Sequence, residues 1–136
     1  MVKESLEAAA KLGDEGIDVE IVDPRCANPL DIDLILESVR KTGRLLIADT
    51  GWKQFGVSAE ICSLVQEKGF HSLKAPIMRI GLPHRNTPCN HLLEKDFYPG
   101  VEDLCLALKS LMGRIENETN KTKIHSPEHI DFQGPF

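Results

Sequence analysis

His84, Cys89 and His91 are the side chains best suited to bind a metal. Imidazole and thiolate suit zinc, and two or three such groups in one loop can converge on an ion. Their spacing matches no closed four-ligand pattern, and the alternative is a polar loop packed over a sheet edge. His125 and His129 stand four apart, but Pro127 between them spoils the helical face that would align them. Asp23 and Arg25 form a carboxylate–guanidinium pair in a turn, which anchors that turn locally and is worth little when exposed. The loop Asp49 to Ser58 precedes a helix start, where free amides could hold an anion. It has no tight glycine fingerprint, and Asp49 would repel a phosphate. The same loop carries Trp52, the only tryptophan, with Lys53, Gln54, Phe55 and Gly56 beside it. Trp52 and Phe55 are the residues to choose for an interface anchor, because buried aromatics dominate binding hot spots. Packing against the chain's own long loop is the alternative.

The elements that must position these groups read as a parallel α/β unit. Lys3 to Leu12 has an apolar stripe of Leu6, Ala9, Ala10 and Leu12, and Gly13 closes it as a helix. Ile17 to Val22 alternates like a strand. Asp23 to Pro29 is a loop, and Asp31 is the N-cap candidate for a helix over Ile32 to Lys41, with Gly43 beyond its end. Arg44 to Ala48 is a short apolar run between turn signals, which suits a strand covered on both faces. Val57, Ile61, Leu64 and Val65 give the next helix, ended by Gly69, and Pro76 to Ile80 gives a third strand. Gly81 to Tyr98 is too long for a passive connector. Val101 to Met112 is the last helix, followed by Gly113 and a polar tail from Arg114 to Phe136.

Alternation of this kind means helices on both faces of a mostly parallel sheet, a three-layer α/β/α arrangement. Residues 1–113 are expected to form one domain and residues 114–136 a tail. Yet the chain opens on a helix with no strand to feed it, and three strands make a thin sheet. The pattern therefore implies an element missing ahead of Met1.

The totals agree with a single globular unit. The chain has 136 residues, 41% hydrophobic and 27% charged, with a formal net charge of -5. That charge argues against general nucleic-acid binding, which needs a basic surface. It allows a basic protein partner. No apolar run is long enough to span a bilayer, and KESLEAAAKL is no secretory signal, so the sequons at Asn117 and Asn120 carry no expectation. Of the four cysteines, Cys62 and Cys105 fall on apolar helix faces, where free thiols act as small hydrophobes; no Cys-x-x-Cys pair occurs. This usage suits a reducing compartment rather than a disulfide framework.

Four segments together carry a resemblance: GIDVEIVDPR (Gly16 to Arg25), PLDIDLILESVRKTGRLLIAD (Pro29 to Asp49), GWKQFGVSAEIC (Gly51 to Cys62) and API-x-RI (Ala75 to Ile80). With them the chain resembles the C-terminal domain of transketolase-like, thiamine-diphosphate-dependent enzymes. It looks most like the beta subunit of the decarboxylase component of 2-oxo acid dehydrogenase complexes, in the pyruvate branch. Gln54-Phe55-Gly56 departs from the family's glycine pair, and LPHRNTP (Leu82 to Pro88) departs from the usual pyruvate-type sequence. The resemblance implies a first central strand directly ahead of Met1-Val2, and an assembly and docking domain that does no chemistry alone. Thiamine diphosphate and magnesium would serve the complete enzyme and be held elsewhere, since no GDG segment is present. The implied partners are an alpha subunit, a second beta subunit and a lipoyl acyltransferase core, in the cytoplasm or the mitochondrial matrix. Trp52, Phe55, Gln54 and Arg25 are the expected interface residues, with no catalytic, cofactor or metal residue expected. The rival reading is a stand-alone module binding a small anion at the Asp49 to Ser58 loop.

Overall fold

In the computed structural model, residues 1–90, 94 and 97–114 are described. The elements run α1 (Val2–Asp14), α2 (Ile32–Thr42), β1 (Leu46–Trp52), α3 (Val57–Gly69), a short 3-10 turn (Phe70–Ser72), β2 (Met78–Leu82) and α4 (Val101–Leu111). The two strands pair in parallel, with Leu46 opposite Met78, Ile47 opposite Arg79 and Ala48 opposite Ile80. α3 is the crossover between them, as parallel pairing requires.

Helix ends follow local chemistry. The Asp31 side chain accepts from the Leu34 amide at 3.1 Å and caps α2. Gly43 then takes the left-handed conformation at φ 75, with its amide on the Val39 carbonyl, and stops the helix. α1 runs through Gly13, where the sequence placed its end. The left-handed residue is Gly16.

Two apolar layers sandwich the strands. On one face α2 and α3 bring Ile35, Leu36, Val39, Ile61 and Val65 against Ile47. On the other, α1 and α4 bring Ala8, Leu12, Leu104 and Cys105 together with Ile17, against Leu46, Ala48 and Ile80. Each fully buried leucine or valine among them, such as Leu12, Val39, Val65 and Leu104, contributes roughly 1.5–3 kcal/mol. Three ion pairs brace the edges, Lys11–Glu102, Lys109–Glu15 and Lys41–Glu20.

The architecture is the expected α/β arrangement with a parallel sheet. The strand expected at Ile17 to Val22 is not formed. Ile17 is buried and Val19 and Val22 pack on the two cores, so the alternation is real. A strand also needs a hydrogen-bonded neighbour. Among the described residues, the only backbone bond of this segment's amides runs from Ile17 to the Leu12 carbonyl. β1 and β2 both lie further along the chain than expected. Asp49 caps the Gly51 amide at 3.0 Å, and a register shift between Ala48 and Trp52 lets the strand absorb the turn signals and pair Trp52 with Leu82.

Candidate functional site

The carboxyl ends of β1 and β2 lie side by side, and the loop between β1 and α3 rises from that edge. In open α/β sheets this is where partners and ligands are met. The loop is tied down on the β2 side. The Lys53 amide reaches the Leu82 carbonyl, and Arg79 Nη1 donates to the Lys53 carbonyl at 2.8 Å. A Cβ on Gly81 would stand 3.1 Å from the Gly51 carbonyl oxygen, so the two backbones approach closely here.

On this base sit the aromatics. The Trp52 ring leans on the His84 imidazole, with centroids 5.0 Å apart and planes tilted by 56°, and remains 51% exposed. Phe55 is fully exposed and has φ 55. For a bulky side chain the left-handed region costs roughly 1–2 kcal/mol. A phenyl ring in water on a strained backbone contributes nothing to this domain's core. Gly56 returns the chain to extended geometry and starts α3 with no side-chain cap. Gln54 is exposed as well.

His84 therefore stands against Trp52, and Cys89 is exposed. His91, the third member of the metal candidate, lies outside the described residues, as do His125, His129 and both sequons. Among the described residues no three His, Cys, Asp or Glu side chains are grouped to hold a metal. Asp23 and Arg25 form the local anchor read from the sequence. Arg25 Nε lies 3.1 Å from Asp23 Oδ2, and the Arg25 amide donates to Oδ1 at 3.2 Å. Arg25 itself has φ 59 and an exposed side chain, beyond the carboxyl end of the Ile17 to Val22 segment. Within the long loop, the Arg85 guanidinium lies 5.5 Å over the ring of buried Phe97.

Sequence reasoning missed two supporting residues. Arg79 was visible only as a strand position, and its bond to Lys53 depends on the parallel register. His84 was visible as a ligand type and serves as an aromatic neighbour. The four cysteines are free; burial pushes the Cys62 and Cys105 thiols up, and Glu102 adds to the shift at Cys105. An open apolar groove of about 650 Å³ lies elsewhere, between α3 and the approach to β2, lined by Cys62, Gln66, Phe70, Leu73 and Ile77.

Comparison with known proteins places this geometry. The family described as transketolase, C-terminal domain, matches residues 1–104. The acetoin:2,6-dichlorophenolindophenol oxidoreductase subunit beta of Bacillus subtilis (strain 168) is 40% identical over 112 residues, which is 82% of this chain and 33% of that protein. The mitochondrial pyruvate dehydrogenase E1 component subunit beta of Rattus norvegicus is 41% identical over 108 residues, 79% of this chain and 30% of that protein. The corresponding subunit beta-1 of Arabidopsis thaliana is 43% identical over 109 residues, 80% and 30% of the two chains. The chain thus spans about a third of the length of these curated relatives.

Proposed function

We propose a function from one premise: the chain belongs to the transketolase C-terminal domain family. It serves as the assembly domain of the beta subunit of a thiamine-diphosphate-dependent 2-oxo acid dehydrogenase. The complete enzyme decarboxylates a 2-oxo acid of the pyruvate type and passes the acyl group to a lipoyl arm. Thiamine diphosphate, with magnesium, supplies the carbanion chemistry when bound, and other parts of the assembly hold it. No step of the reaction runs through this chain. Its residues fix how subunits sit together, with an alpha subunit and a second beta subunit as partners and the lipoyl acyltransferase core as a docking target.

The observation that carries this reading is Phe55. A fully exposed phenyl ring held at φ 55 beside half-exposed Trp52 is costly for a free domain and useful at an interface. The names of the relatives support it, since each is a beta subunit and so implies a partner. Gln54 and Arg25 complete the contact surface in this reading, as polar rim to the aromatic pair. Residues 1–113 act as the domain and residues 114–136 as an appended tail. No helix among the described residues is long and apolar enough to cross a membrane. The mitochondrial matrix or the cytoplasm is the proposed setting.

The test is sedimentation of the chain with the alpha-type subunit from its own source. A heteromeric species is expected. A chain that sediments alone at every concentration, with the alpha subunit present, overturns the reading.

A further inference from the structure

We propose that the Trp52–Phe55 face takes an acidic segment of a partner polypeptide, with carboxylates set around an apolar side chain. This rests on the reading of the loop as an interface and adds the chemistry of what meets it. The whole-chain charge of -5 allows a basic partner, but the charge is not spread evenly. Met1 to Asp49 carries six Lys and Arg against eleven Asp and Glu, whereas Thr50 to Asn90 carries five against two. The second stretch holds the end of β1, all of α3 and β2, and so builds the aromatic loop and its support.

Cations of that stretch stand where the aromatics stand. Lys53 is exposed and lies between Trp52 and Phe55 in sequence. Arg79 reaches the loop from β2, with one guanidinium nitrogen on the Lys53 carbonyl. His84 leans on Trp52, and exposed Arg85 follows it directly. Elsewhere the cations are answered: Lys11, Lys41 and Lys109 each hold a carboxylate. Among the described residues Lys53, Arg79 and Arg85 hold none. Asp49, the loop's own carboxylate, accepts from the Gly51 amide. Glu60 stands in the first turn of α3, where it complements that helix's own dipole. Like charges on one small face repel, and a partner of opposite sign turns that cost into attraction.

The arrangement defines the occupant. Trp52 and Phe55 form an apolar centre, and Lys53 and Arg85 a charged rim, which is the anatomy of a contact surface. The centre calls for a leucine or phenylalanine on the partner, and the rim for aspartate or glutamate to either side of it. A rim of one sign also turns away partners of the same sign. Nucleic acid meets cations and aromatics too, but it favours a broadly basic chain, and the acidic first 49 residues oppose a long phosphate backbone.

The experiment uses the full chain and the emission of Trp52, the lone tryptophan, which sits in the face itself. The probe is a capped peptide of about ten residues, long enough to cross the aromatic centre and its rim, with glutamates flanking a central Leu-Phe pair. Control peptides carry glutamine or lysine in place of the glutamates. The acidic peptide is expected to bind about tenfold or more tightly than the glutamine peptide, with an affinity that falls as salt rises. Lys53→Glu should abolish that preference. Lys68→Glu, in the last turn of α3, should leave it intact, and a thermal melt shows that each variant is folded. Equal binding of the three peptides, or binding of none, overturns the proposal, as does an equal loss from both substitutions. Tighter binding of oligothymidylate than of the acidic peptide would make the face a nucleic-acid surface and overturn it too. Assembly with the alpha-type subunit that is indifferent to salt and to Lys53→Glu keeps the interface and overturns the acidic partner. Peptide selectivity without assembly upholds the charge preference and overturns the interface reading alone.

Discussion

Gly56 packs its Cα against the carbonyl of Trp52, so that a Cβ there would stand 2.3 Å from the oxygen. No flexible side chain can give way, because the obstacle is backbone. The shape of the aromatic loop is therefore fixed from beneath by a residue that makes no contact through a side chain. Gly56→Ala is expected to displace the loop, shift the emission of the lone tryptophan and destabilise the fold by about 1–3 kcal/mol. Gly13→Ala is the control. Nothing lies within 4 Å of its Cβ position, and it sits inside α1, so a gain of up to about 1 kcal/mol is expected. Equal effects from the two substitutions in thermal unfolding would remove the clash from the account.

In the proposed reading, Phe55 bears on folding and on association in opposite senses. Phe55→Gly relieves a left-handed backbone and should raise the unfolding midpoint, by about 1 kcal/mol in stability. The same change removes the exposed ring and should weaken subunit association by about 2 kcal/mol or more. Trp52→Ala should weaken association without altering the fold, since half of Trp52 is already in solvent. Sedimentation and thermal melts on the same samples decide both. Unchanged association in both variants would take the loop out of the proposed interface.

Thiol reactivity should follow burial. Cys26 and Cys89 are exposed, Cys62 is intermediate and Cys105 is buried. Desolvation raises the Cys62 and Cys105 thiols, which lowers their thiolate fraction. Mild alkylation should label Cys26 and Cys89 first, Cys62 more slowly, and Cys105 only on unfolding. Mass spectrometry over a time course reads the order directly.

The ion pairs set a pH window. Hydrogen bonds from Lys41 and Lys11 hold the Glu20 and Glu102 carboxyls below their ordinary 4.5. The same carboxylates hold Lys41 and Lys11 above their ordinary 10.5. A depressed carboxyl adds stability above its unfolded pKa, lost as pH falls through the folded one; a raised ammonium adds stability below its unfolded pKa, lost as pH rises through the folded one. Stability should be flat between these limits and decline outside them. Exposure keeps the change small. Glu102→Gln should shrink the acid-side decline, and a melt series against pH that shows no difference would exclude the pair as a contributor.

The helices were legible because their signals are local. Asp31, Gly43 and the apolar stripe of α2 act within a turn of where they stand, and the structure puts the element within one residue of its expected end. Strands were legible only as side-chain environments. Ile17 to Val22 has the right alternation and the right burial, yet pairing depends on a neighbour that a one-dimensional pattern cannot supply. The turn signals Asp49-Thr50-Gly51 misled for a similar reason: β2 lies alongside and draws the chain through them in extended form. At the loop, the sequence marked Trp52 and Phe55 by type. It could not tell that Trp52 rests on His84 while Phe55 stands clear, because that depends on where the next strand delivers the long loop.

The two apolar layers also differ in how far their members lie apart along the chain. The α2–α3 layer is drawn from Ile35 to Val65, a nearly continuous stretch. The α1–α4 layer joins Ala8 and Leu12 to Leu104 and Cys105, braced by Lys11–Glu102 across 91 positions and Lys109–Glu15 across 94. Closing so long a loop costs entropy before any contact offsets it. The first layer can form from near neighbours, while the second waits for α1 and α4, far apart in sequence, to meet. α1 and α4 therefore act as a clasp, expected to fasten after the α2–α3 layer during folding.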